Sequence, residues 1–195
     1  MTLFILAVSL LPLHHSGCAP VLKGPLDDAA HSEAVSITLG HGYALLTQLL
    51  HDESDVTLIF GLKDAPEDVK ALLSQVADTA ASTRRELLAL ADDPPAVPMD
   101  TTGLPLIEVS ARHALANSTA ASLLLAGRSF EIQLLVSQEK ACSYAAALCG
   151  ALAVADVNRQ RTALLEHAGK AFQGYASQIS ALIAAGYKPP RQDAH

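Results

Sequence analysis

Residues 130–183 read FEIQLLVSQEKACSYAAALCGALAVADVNRQRTALLEHAGKAFQGYASQISALI. Apolar side chains fall at Phe130, Leu134, Ala141, Ala145, Leu148 and Leu152, then at Val157, Leu164, Ala168, Phe172, Tyr175, Ile179 and Leu182. Steps of three, four and seven place one stripe on each of two long helices. Such stripes must be covered by other helices, so this stretch sets the class as all-α. Half of the chain is hydrophobic, yet aromatics are only 4% and Trp is absent. Ala and Leu must then form the core, which favours close-packed helices over a sheet sandwich.

The rest of the 195-residue chain supplies three further helical stretches. The first runs from about Asp28 to Glu53, with Val35, Leu39, Leu46, Leu49 and Leu50 on one side and Gly40 and Gly42 weakening it. Asp55 to Phe60 suits either a short strand or more helix. A lone strand has no partner, so the reading is kinked helix to about Leu62. Asp64-Ala65-Pro66-Glu67 carries the residues of a capping box, with Asp64 as cap and Glu67 answering it. The helix that follows presents Val69, Leu73, Val76, Ala80, Thr83 and Leu87, and stops at Asp92-Asp93-Pro94-Pro95. After a Pro-rich loop, Leu106 to Leu125 presents Ile107, Ala111, Ala114, Ser118, Ala121 and Leu125, a narrow stripe suited to close approach of a neighbour. Ser129 is placed to cap the helix that opens at Phe130. The expected architecture is an antiparallel four-helix bundle with one additional helix, over residues 28–187.

The N-terminal segment carries an address rather than fold. The first 22 residues hold no charged side chain, and Thr2 to Leu13 has the length of a signal-peptide core. It ends at His14-His15-Ser16-Gly17-Cys18, where small residues before a Cys resemble the bacterial lipoprotein cleavage box. His15 stands where that box carries Leu, and the segment lacks Lys or Arg. The expectation is a signal peptide over residues 1–18, lipidation at Cys18, a flexible tether over 19–27 and a polar tail over 188–195. This would place the domain in the periplasm, held to the envelope membrane by its lipid; an ordinary secretory signal and a soluble secreted domain are the alternative. A formal charge of −7 leaves no basic footprint for nucleic acid.

The order of features resembles uncharacterised bacterial periplasmic families with a ferritin-like four-helix fold. The resemblance rests on Leu58 to Lys63, Ala65-Pro66-Glu67-Asp68-Val69-Lys70, Glu86-Leu87-Leu88-Ala89-Leu90-Ala91 and Gly127-Arg128-Ser129-Phe130-Glu131, followed by the helix pair. It implies a ferritin-like bundle over roughly residues 35–182. Those families often carry a His in their second and later helices, which suggested metal binding. Here the corresponding stretches read Ala77-Asp78-Thr79-Ala80 and Gln138-Glu139-Lys140-Ala141-Cys142, so no functional residue carries over.

Reaction chemistry is hard to find. A di-iron bundle needs Glu-x-x-His pairs on facing helices, whereas Glu166 and His167 are neighbours and point about 100° apart. His31, His41 and His51 recur every ten residues and do not form a ladder. Cys142 and Cys149 sit seven apart, about 10 Å along a helix, too far for a disulfide within it, so burial is their expected role. No nucleophile elbow, phosphate loop or Cys-x-x-Cys pair occurs. Arg84-Arg85-Glu86 and Asn158-Arg159-Gln160-Arg161 read as solvated charged patches or equally as partner-binding spots. Gln138-Glu139-Lys140 reads as an exposed polar turn, the alternative being an inward face where a buried Glu would mark a site. The leading expectation is a non-enzymatic interaction or structural module with no cofactor, meeting the membrane through its lipid and either an unidentified protein partner or a second copy. The competing expectation is a metal-binding or redox bundle using Glu131, Glu139, His113, His167, Cys142 and Cys149.

Overall fold

The computed structural model describes residues 25–127 and 129–185, with side chains from residue 36 onward. The expected signal peptide, Cys18, the first part of the expected tether and the expected polar tail lie outside the described residues. Among the described residues there are five helices, α1 Pro25–Ser54, α2 Glu67–Ala89, α3 Leu106–Leu125, α4 Phe130–Ala155 and α5 Arg159–Ala184, with 3-10 turns at Val56–Gly61 and Thr101–Gly103. No strand occurs among the described residues, and none of the helices there is long and apolar enough to cross a membrane. α1 begins at Pro25, inside the expected tether, because proline suits the first turn, where its missing N–H leaves no intrahelical bond unmade. The stretch from Val56 to Gly61 is a tighter helical turn, as a kinked continuation requires.

α4 and α5 form the most extensive helix pair, while α1 packs on α2 and α4, and α2 packs on α5. Together these four helices enclose one core whose fully buried members include Tyr43, Leu46, Leu73, Leu134, Leu165 and Phe172. The α2 stripe is buried as its spacing predicts, from Val69 through Leu87. Gly42 has a packing reason: a Cβ there would lie 2.7 Å from Leu152 Cδ2, so the glycine lets α1 approach α4. Thr79 Oγ1 and Tyr175 Oη, 2.9 Å apart, add a polar link between α2 and α5. Lys63 Nζ donates to the Ala126 carbonyl at 2.9 Å and lies 5.8 Å from the Phe130 ring centre, pinning the α3–α4 junction to the entry of α2.

Four local expectations are corrected. The capping box does not form: Pro66 is the cap residue, and no side chain caps α2. Asp64 instead pairs with Lys70 at 2.7 Å, and Lys70 also meets Glu67 at 3.0 Å, so both carboxylates serve the lysine. Ser129 does stand at the cap position of α4, but its side chain makes no capping bond; the hydroxyl instead accepts from Gln133 Nε2 at 3.0 Å. Val157 is 79% exposed, since it lies in the link before α5 rather than on its inner face. The α3 stripe faces solvent. α3 touches α4, Leu123 is its one buried residue and joins the core, and all six stripe residues from Ile107 to Leu125 are exposed.

Candidate functional site

The densest polar constellation gathers around Arg161, which the sequence placed among solvated charges. Its side chain is fully buried. Asn158 caps α5 by accepting from the backbone N–H groups of Gln160 and Arg161, and this cap turns Arg161 inward. Arg161 Nε donates to Asp156 Oδ2 at 2.6 Å and Nη2 to Asp156 Oδ1 at 3.1 Å, a two-pronged pair. Nη1 donates to the Leu90 and Asp93 carbonyls at 3.1 and 2.9 Å, and Nη2 to the Pro95 carbonyl at 2.8 Å. These bonds occupy all five donors of the guanidinium. Tyr43 Oη donates to Asp156 Oδ2 at 2.5 Å, and the Tyr43 ring lies 5.8 Å from the guanidinium carbon. Burial alone would raise the Asp156 carboxyl, but hydrogen bonds from Arg161, Tyr43 and the Asn158 backbone outweigh it and hold the group below its usual range. Burial, with Asp156 beside it, pushes the Tyr43 phenol up. Every strong donor here already has a protein acceptor. The cluster therefore ties the start of α5 to the turn after α2 and to α1, with no N–H of the guanidinium left for a ligand.

A second buried polar group involves Glu53, Gln138 and Cys142. Glu53 is 8% exposed at the end of α1, and Gln138 is 6% exposed on α4. Glu53 Oε2 and Gln138 Oε1 have no hydrogen-bond partner. Burial pushes the Glu53 carboxyl up to about 7, with Asp52 adding to the shift and the neighbouring Gln138 side chain working against it. Burial also pushes the Cys142 thiol up to about 12, helped by the nearby charges of Glu53 and Glu139, and pushes Cys149 up to about 12 by itself. A thiol so far from ionisation is a packing group rather than a nucleophile. Gln138 thus corrects the exposed-turn reading of 138–140, while Lys140 stays exposed.

The six metal candidates do not converge. His113 is exposed on α3 and His167 is exposed on α5, while Glu131 and Glu139 are half-buried on α4 and the two cysteines sit in the core. Glu139 accepts a hydrogen bond from Ser143 at 3.1 Å. Among the described residues, no group of three or more His, Cys, Asp or Glu is arranged to hold a metal ion.

A cleft of about 380 Å³ lies between α2 and α5 beside Leu72, Gln75 and Gln178. Another of similar volume, about 380 Å³, lies between α1, α2 and the 97–101 segment, lined by Thr47, Gln48, Arg84, Leu88, Met99 and Asp100. Arg84 Nε is buried there without a partner, so this half-buried residue is not the solvated one its sequence context implied. The Thr47 hydroxyl donates to the Met99 carbonyl at 2.7 Å, and Asp100 Oδ1 accepts from the Thr102 N–H at 2.8 Å. The cleft offers one guanidinium edge but no nucleophile beside a base.

A further unsatisfied feature is apolar. Leu106, Ile107, Leu115 and Leu125 on α3 are each more than two-thirds exposed, and Leu124 is 43% exposed. Val109, Arg112, Thr119 and Leu123 are turned toward the body; Ile107 and Leu125 lie on the opposite side of α3, with Leu106, Leu115 and Leu124 on its flanks. Large aliphatic side chains left exposed along one helix mark it as a candidate interaction surface. The residues that missed detection share one signal. Arg161 stands four before Leu165, Gln138 four before Cys142 and Glu53 four after Leu49, each a polar residue in the phase of a buried stripe. No protein-family model, curated protein or solved structure matches this chain.

Proposed function

We propose that this chain is an exported helical domain, anchored to the bacterial envelope membrane through a lipid on Cys18, that works by protein interaction rather than by catalysis. The observation that carries the interaction reading is the exposed surface of α3, where four large aliphatic side chains are each more than two-thirds exposed. The saturation of Arg161 and the dispersal of the candidate metal ligands give the metal or redox alternative no comparable support. The address rests on residues 1–22 of the sequence, which are free of charge and end their small-residue run at Cys18. For the architecture, we read α1, α2, α4 and α5 as an antiparallel four-helix bundle of ferritin-like connectivity. Supporting this, the end of α2 meets the start of α5 at Leu90 and Arg161, and the 126–130 junction meets Lys63, so α3 spans the crossover between them.

The test is photo-cross-linking in intact cells, with a photoreactive analogue replacing Leu115 on α3 or Ser177 on α5. Adducts formed from position 115 and not from 177 support the reading. Free chain alone from both positions overturns it. The anchor has its own test: a Cys18→Ser chain should leave the membrane fraction, and full retention would exclude lipidation at that residue.

A further inference from the structure

We infer that the cleft between α1, α2 and the 97–101 segment binds a small zwitterion, an aliphatic α-amino acid, with Arg84 facing its carboxylate and Asp100 its ammonium. The inference stands apart from the interaction reading above, because no residue of α3 lines this cleft. The walls carry one cation and one anion from different elements, Arg84 on α2 and Asp100 on the segment after it. The two do not pair. Ion pairs among the described residues join Lys70 to Asp64 and Glu67, and Arg161 to Asp156. Arg84 is left without a carboxylate, and its Nε is covered without a hydrogen-bond partner. Arg161 is the contrast, with every N–H spent on protein oxygens. A guanidinium short of both water and acceptors gains from an ionised acceptor that enters the cleft, and its planar fork matches a carboxylate.

Asp100 supplies the opposite end. Its Oδ1 accepts from the Thr102 N–H at 2.8 Å, and hydrogen bonds from the Thr102 side chain and backbone hold the carboxyl below its usual range. The wall that carries it is fixed, since the Thr47 hydroxyl donates to the Met99 carbonyl at 2.7 Å and ties the segment to α1. Charge then selects the occupant. A phosphate would bring its negative charge past Asp100 into a chain of net charge −7, and a simple amine would meet Arg84 unopposed. A zwitterion answers both walls and carries no net charge. Leu88, Ala91 and Met99 complete the lining and suit an aliphatic side chain. The volume of about 380 Å³ lies within the range of small-ligand pockets. Leu88 is 41% exposed and Asp100 is also exposed, so the site stays wet and the expected Kd is on the order of 1 mM.

The experiment titrates the full chain with L-leucine and reads binding by saturation-transfer NMR. The comparison probes are 4-methylpentanoate, which lacks the ammonium, 3-methylbutylamine, which lacks the carboxylate, and inorganic phosphate. L-Leucine should bind saturably and at least about tenfold tighter than any of the three. Arg84→Gln should weaken L-leucine by at least about tenfold. Asp100→Asn, on the exposed rim, keeps an oxygen for the Thr102 N–H. It should weaken L-leucine to the same degree without weakening 4-methylpentanoate, and it decides the matter should Arg84→Gln fail to fold. No saturable L-leucine binding up to about 50 mM overturns the site, as does L-leucine binding that Asp100→Asn leaves unchanged. Phosphate or 4-methylpentanoate binding as tightly as L-leucine also overturns it and would assign the cleft to simple anions. Cross-linking from α3 is read separately, so the cleft and the interaction reading stand or fall independently.

Discussion

Arg161 carries more of this structure than any other single side chain. A guanidinium brought out of water needs all five N–H groups satisfied, and here one carboxylate and three carbonyls achieve it. Removing one member leaves the other charged and buried. Arg161→Met should therefore lower stability by about 3–5 kcal/mol, read as the loss in urea-unfolding free energy. The double variant Arg161→Met with Asp156→Leu should recover part of that loss, because no lone charge remains. Arg161→Lys should behave like a disruption rather than a conservative change, since three donors on one ammonium cannot span Asp156 and the 90–95 turn. The thiols give a second residue-scale expectation. With Cys142 and Cys149 buried and pushed up to about 12, alkylation at pH 8 followed by mass spectrometry should label neither until denaturant is added. Rapid labelling of either in the native chain would contradict their burial.

At the scale of elements, most of the fold was legible because most helices bury a regular stripe. α2 illustrates it: Val69, Leu73, Val76, Ala80, Thr83 and Leu87 are all buried. The limits were set by α3, Arg161 and Asp64. A stripe announces that a helix face wants cover, but periodicity cannot say whether the cover lies in the same chain. The α3 stripe is as regular as that of α2 and is left facing water. Charged residues were read by type as solvated, which holds for Arg85 and Glu86 and fails for Arg161, whose phase places it in line with Leu165 and Ala168. Asp64 and Glu67 had the right spacing for a capping box, but a lysine one turn further on competed successfully for both carboxylates. These differences predict unequal costs. Leu135→Ala, in the core, should cost about 2–5 kcal/mol, whereas Leu115→Ser on α3 should move the melting temperature of a dilute sample by no more than about 2 °C. A large loss from Leu115→Ser would mean that α3 is packed into the body after all.

At the scale of the whole molecule, two buried carboxylates of opposite behaviour should shape the response to pH. Asp156 is held below its usual range, so the stability it contributes is present above its unfolded pKa and disappears as pH falls through the folded value. Glu53 is the reverse case. Its folded value of about 7 lies above the usual carboxylate range, so the native state binds the extra proton between roughly pH 4.5 and 7. Stability must then fall as pH rises across that window and level off above it, because the folded chain has to release a proton from a site with no partner for Glu53 Oε2. A shift of this size is worth about 3 kcal/mol. The two effects together predict a maximum in mildly acidic solution, with the neutral limb controlled by one residue. Glu53→Gln keeps the shape, removes the charge and supplies N–H donors near the unpartnered Gln138 Oε1. Urea unfolding from pH 4.5 to 8 should show the wild-type decline, while Glu53→Gln should be flat across that limb and more stable than wild type at pH 8. A Glu53→Gln chain that keeps the full decline would place the titrating group elsewhere, and the unpartnered Glu53 oxygen would then have no part in the pH response.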